Sequence, residues 1–94
     1  MEWTEVIREA VDYIESRITE DITVDDVAKR VCVSPFYFNK GFSMLCGYSL
    51  MEYVRNRRLS LAGGELIASD VTVLDLAVKY GYDSPDSFAK AFSR

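Results

Sequence analysis

Residues 23–43 read TVDDVAKRVCVSPFYFNKGFS, and residues 72–93 read TVLDLAVKYGYDSPDSFAKAFS. The second stretch repeats the first. Thr23, Val24, Asp26 and Ala28 return 49 residues later as Thr72, Val73, Asp75 and Ala77. Ser34, Pro35, Phe38, Lys40, Phe42 and Ser43 return 50 residues later as Ser84, Pro85, Phe88, Lys90, Phe92 and Ser93. The offset changes by one in the turn, where an insertion costs least. In each copy a threonine with an aspartate three residues on forms a capping box, and Ser-Pro supplies an N-cap and a helix-starting proline. The repeating unit is helix, short turn, helix.

Working outward, Trp3, Ile7, Ala10, Ile14 and Ile18 recur at helical spacing and predict a first helix. A second opens at Thr23 and runs to about Val31, with Cys32-Val33 as a short connection. The third follows Ser34-Pro35, carries Phe38, Phe42 and Leu45 toward the core, and ends at Gly47. Ser49 caps a fourth helix running to about Ala68. Leu50, Val54 and Leu61 lie on one side of it, and Leu59, Ala62 and Leu66 lie roughly opposite, so it must pack on two things. Its roughly 20 residues span about 30 Å. A fifth helix runs from Thr72 to about Tyr80, Gly81-Tyr82-Asp83 is the turn, and Phe88 and Phe92 mark the last helix. The chain reaches Arg94 inside that helix with no C-cap, which reads as a truncated end. The fold class is all-α, with helix-turn-helix subdomains at 1–48 and 70–94 joined by a linker helix at 49–69.

Apolar residues make up 49% of the 94, enough for a core. No apolar run approaches the roughly 20 residues of a membrane span. Cys32 and Cys46 read as reduced, buried thiols of a cytoplasmic protein. The sequence has no histidine. That removes Ser-His and Cys-His nucleophile pairs and leaves a poor zinc ligand set, so no catalytic residue, metal site or cofactor is assigned. The formal net charge is −4, but it is unevenly spread. Residues 1–26 hold nine acids and two bases, net −7, whereas residues 27–94 hold nine bases and six acids, net +3. The acid sits mainly in the first helix, where it can face away from a basic surface.

A helix, a tight turn and a second helix can be an ordinary αα-corner. The same unit also places its second helix in a DNA major groove, with Ala28 or Ala77 allowing the two helices to cross closely. Two copies held by a helix about as long as the roughly 34 Å pitch of DNA favour the second reading, with one recognition helix in each of two successive major grooves. A helical protein-interaction module is the alternative, supported by the net acid charge.

The order and spacing of several segments resemble the AraC/XylS family of bacterial transcription regulators. They are Val27-Ala28-Lys29-Arg30-Val31 with Ser34-Pro35-Phe36-Tyr37-Phe38; Gly47-Tyr48-Ser49-Leu50 and Tyr53-Val54-Arg55 with Arg58-Leu59; and Ala77 to Tyr82 with Ser84 to Phe92. The resemblance implies a bipartite module that binds promoter DNA and contacts RNA polymerase, with any small-molecule effector acting through a separate domain. Starting at Met1 resembles the subgroup with its DNA-binding part first, so such a domain would follow Arg94.

By the positions of the family, Phe36, Asn39 and Lys40 resemble base-facing residues. Asparagine pairs with adenine, lysine donates to guanine and phenylalanine meets a thymine methyl. Tyr37 and Ser43 complete the expected face of the third helix, and Asp86, Ser87 and Lys90 that of the last. Asp86 either accepts from cytosine or repels phosphate. Ser34, Ser84, Arg55 and Arg58 are candidates for backbone contacts. The family usually has glycine at Cys32, a bulky apolar residue at Gly41, arginine at Lys40, and a closing segment after the last helix. A glycine inside a helix costs roughly 1 kcal/mol against alanine, so Gly41→Ala is expected to stabilise the domain by up to about 1 kcal/mol. Gly63-Gly64 should weaken the linker helix in the same way.

Overall fold

The computed structural model describes residues 2–93, which form six helices and no strand. Met1 and Arg94, including the expected helical end at Arg94, lie outside the described residues. The helices are α1 (Trp3–Ser16), α2 (Val24–Arg30), α3 (Pro35–Cys46), α4 (Leu50–Ala68), α5 (Val73–Lys79) and α6 (Pro85–Phe92).

Local chemistry sets the boundaries. The Thr23 hydroxyl accepts from the Asp26 amide at 3.1 Å, and the Thr23 amide donates back to the Asp26 carboxylate at 3.3 Å. Thr72 and Asp75 repeat this at 3.1 and 3.2 Å. Ser49 caps α4 as expected, and Glu52 completes a third reciprocal box that the sequence reading did not single out. Gly47 ends α3 in the left-handed conformation, at φ +82°.

The turns inside the two units share one pattern. The Cys32 amide donates to the Lys29 carbonyl and the Val33 amide to the Ala28 carbonyl. The Gly81 amide donates to the Val78 carbonyl and the Tyr82 amide to the Ala77 carbonyl. Both are Schellman turns, in which a left-handed residue lets two amides fold back on the end of the helix. Gly81 supplies that residue in the second unit at φ +82°, and Cys32 supplies it in the first at φ +60°.

Two cores result. Val6, Ala10 and Ile14 of α1 pack with α2, with Phe38 and Phe42 of α3, and with Leu50 and Val54 of α4. Ala62 of α4 joins Leu76, Ala77, Tyr80 and Phe88 in the second. The linker helix therefore divides by length rather than by side. Leu61 packs with Leu59 against the second core, not with Leu50 and Val54. Its 19 residues span about 28 Å of a molecule whose longest dimension is 43 Å.

Four expected burials fail or are only partial. Leu45 is 59% exposed, because Phe38 and Phe42 already fill the interface of α3 with α1 and α4. Leu66 is also on the surface. The cysteines are free, but Cys32 is exposed at the tip of its turn and Cys46 is half-buried, with burial raising its thiol pKa.

Candidate nucleic-acid interface

Ser34 and Ser84 begin α3 and α6 by the same means. Each hydroxyl accepts from an amide three residues on, Tyr37 at 3.2 Å and Ser87 at 3.1 Å. The Ser84 hydroxyl also donates to the Ser87 hydroxyl at 3.2 Å. Among the described residues the Ser34 hydroxyl donates no hydrogen bond, whereas that of Ser84 donates within its unit.

Turning about 100° per residue from the buried Phe38 and Phe42, Lys40 lies on the line pointing straight out of α3, with Phe36 and Met44 about 40° to either side. Lys90 holds the same outermost place on α6, with Asp86 about 40° away. Among the described residues neither lysine is ion-paired. Phe36, Tyr37, Asn39, Lys40, Asp86, Ser87 and Lys90 are exposed, and Ser43 is half-buried.

The structure brings some of these together and separates others. Phe36, Tyr37 and Lys40 line one groove of about 310 Å³ with Gly41, Met44 and Trp3. Asn39 and Ser43 do not line it. Asn39 lies about 100° round α3 from Lys40, on the flank away from Met44. Arg55 and Arg58 line a separate cleft of about 270 Å³, where α4 meets the Tyr80–Tyr82 turn. Arg55 is exposed and unpaired among the described residues. Arg58 is engaged: its Nε donates to the Ile18 carbonyl at 2.8 Å and its terminal nitrogen to the Glu20 carbonyl at 2.6 Å. Those bonds tie the α1–α2 connection to α4, a structural role beside the DNA-backbone contact expected of Arg58.

Carboxylates hold each unit to the linker helix. Glu15 accepts from Arg57 at 2.8 Å and from the Tyr53 hydroxyl at 3.2 Å. The hydrogen-bonded guanidinium lowers the Glu15 pKa, and burial with the facing carboxylate pushes Tyr53 up to about 12. In the second unit Glu65 pairs with Lys79 and accepts from the Tyr80 hydroxyl at 2.7 Å. Lys79 lowers the Glu65 pKa, and burial with that carboxylate raises Tyr80 to about 12.

Gly41 reverses an expectation. A Cβ there would overlap the indole of Trp3, which lies against α3 and tilts over Tyr37 at 5.4 Å between ring centroids. Trp3 thus fills the space of the expected bulky residue, and alanine at 41 must displace it. Gly63 likewise sits 3.0 Å, through a notional Cβ, from the Phe92 ring, whereas Gly64 faces open space. Sequence reasoning missed Met44 and Trp3 in the groove. Met44 was accessible from helical phase, four residues after Lys40. Trp3 was not, because only tertiary packing brings α1 beside α3.

A family model described as Helix-turn-helix domain matches residues 27–94. The HTH-type transcriptional activator AarP of Providencia stuartii is 36% identical over 87 residues, covering 93% of this chain and 64% of that protein. The chain thus spans just under two thirds of that relative's length. A crystal structure of a transcriptional regulator from Chromobacterium violaceum, described by AraC-type DNA-binding domain-containing proteins, superposes with a TM-score of 0.89 at 25% identity, covering 95% of this chain and 80% of that one. The DNA-binding domain of AdpA, a global transcriptional factor solved in complex with a target DNA, superposes with a TM-score of 0.83 at 26% identity, over 94% of this chain and 79% of that one.

Proposed function

The chain belongs to the AraC-type helix-turn-helix family, and from that premise we propose that it is the sequence-specific DNA-binding module of a transcription regulator. α3 and α6 enter successive major grooves of promoter DNA. The observation that carries this reading is the matched pair of units, each presenting at the outermost position of its Ser-Pro helix a lysine without an ion-pair partner among the described residues. An ammonium there meets phosphate or the acceptor edge of guanine.

Readout is lopsided. α3 presents Asn39, Lys40, Phe36 and Tyr37, whereas α6 presents Asp86 and Ser87 beside Lys90. The half-site under α3 therefore carries more of the specificity. Arg55 and the Ser34 hydroxyl position the module on the phosphates, and Arg58 acts through the connection it holds. RNA polymerase is the protein partner in this reading. Leu74 and Val78, exposed one turn apart on α5, offer apolar surface for a protein contact.

Selection of sites from random duplexes at fixed salt tests the proposal. The expected result is a two-part site, sharper in one half, with affinity falling steeply as salt rises. Asn39→Ala should cost about 1–3 kcal/mol on the best site and relax one base pair. Arg55→Ala should weaken all sequences alike and flatten the salt slope by about one unit. Binding indifferent to salt, or no enriched sequence, overturns the reading.

A further inference from the structure

We propose that Met44 and Trp3 are specificity-determining residues, forming with Phe36 an apolar surface around Lys40 that receives thymine methyl groups in the major groove. The inference rests on the DNA-binding reading above and adds to it what the first half-site must contain.

The exposure of this surface is its first support. Phe36 is 78% and Met44 76% exposed, and with Trp3 they line one contiguous groove on either side of Lys40. Gly41 is the second. Having no side chain, it leaves room for the Trp3 indole beside α3, so α1 lends an aromatic wall to the groove. Lys40 is the third, and it selects the occupant. An apolar protein helix seated here would have to cover an unpaired ammonium without compensating it. The floor of a major groove offers both chemistries side by side: the thymine C5-methyl is apolar, and the adjacent guanine N7 and O6 or thymine O4 accept from an ammonium.

The test uses the full chain and a duplex selected as above. Each thymine under the α3 half-site is replaced by deoxyuridine, which removes one methyl and leaves every hydrogen-bonding group in place. Affinity should fall about fourfold for each methyl in contact, the weight of one buried methyl group. Met44→Ala should abolish the penalty at one position. Met44 is outside the core, so the variant keeps its fold. Trp3→Ala should abolish the penalty at another. Gly41→Ala, which dislodges the indole without removing it, should behave like Trp3→Ala and move the emission of the only tryptophan to the red. A selected site indifferent to deoxyuridine overturns the inference and leaves DNA binding standing. A penalty that persists unchanged in both alanine variants overturns the assignment to these residues. A dimer that dissociates on Met44→Ala gives the groove to a second copy and overturns it. Failure to select any site removes the DNA reading and the inference together.

Discussion

The two helix-turn-helix units close their turns with the same pair of backfolded amides, one pair built on Cys32 and the other on Gly81. A side chain in the left-handed region costs roughly 1–2 kcal/mol, and glycine avoids that cost. The unit bearing the strained residue is the one with the larger core. Its core has eleven buried residues, Phe38 and Phe42 among them, drawn from α1 to α4 and the residues flanking α2, against five, Phe88 among them, in the second. Burial of that extent offsets a poor turn. The second unit has no such reserve, and its turn and its two large buried aromatics, Tyr80 and Phe88, matter correspondingly more.

The comparison is tested most strongly by Phe88→Ala. Loss of a buried phenylalanine costs about 3–5 kcal/mol, enough to open a five-residue core. Hydrogen exchange should show α5 and α6 unprotected while α1 to α3 remain protected; uniform loss along the chain would mean that the two cores melt as one. Next is Gly81→Ala. Nothing obstructs its Cβ, so backbone strain alone should cost about 1–2 kcal/mol in a urea melt. The reverse change, Cys32→Gly, should stabilise the first unit by about 1 kcal/mol after the added flexibility of the unfolded chain is offset. A destabilised Cys32→Gly would show that the cysteine makes a contact worth more than its strain. Gly64→Ala, in open space on the linker helix, should add at most about 1 kcal/mol in thermal melts.

The smallest difference is expected in titration, because the two anchors are chemically alike. Glu15 and Glu65 have lowered pKa values, so the stability they contribute is present above the ordinary carboxylate range and disappears as pH falls through and below it. Tyr53 and Tyr80 are raised to about 12, so their contribution is present below the ordinary phenol value and is lost as pH rises toward about 12. Urea midpoints followed across both ranges should fall at each extreme. With no histidine, they should stay level near neutrality.

How much of this could be read from the chain depended on how local the physics was. Thr23 with Asp26, Thr72 with Asp75 and the two Ser-Pro starts act within four residues, and all formed where the sequence placed them. The inward side of α3 was legible in Phe38 and Phe42. It failed at Leu45, because periodicity records the phase of a helix but not where its neighbour stops. Family position marked Lys40 and Phe36 as outward, and a full turn of the same arithmetic would have added Met44. The anchoring of Arg58 was not legible, because its charge is visible in the sequence while the Ile18 and Glu20 carbonyls that hold it are 40 and 38 residues away.

By itself, the sequence determined the repeated unit, its caps, its turn positions and the charge division between residues 1–26 and 27–94. Each follows from interactions along a single helix or turn, or from composition. Only the tertiary structure decided which groups are already spent, which glycines are occupied and which side chains share a groove. It put the Trp3 indole over Gly41, Phe92 beside Gly63, and Glu15 between Tyr53 and Arg57. Those outcomes depend on how helices distant in sequence cross, and close packing at a crossing is a property of two surfaces together.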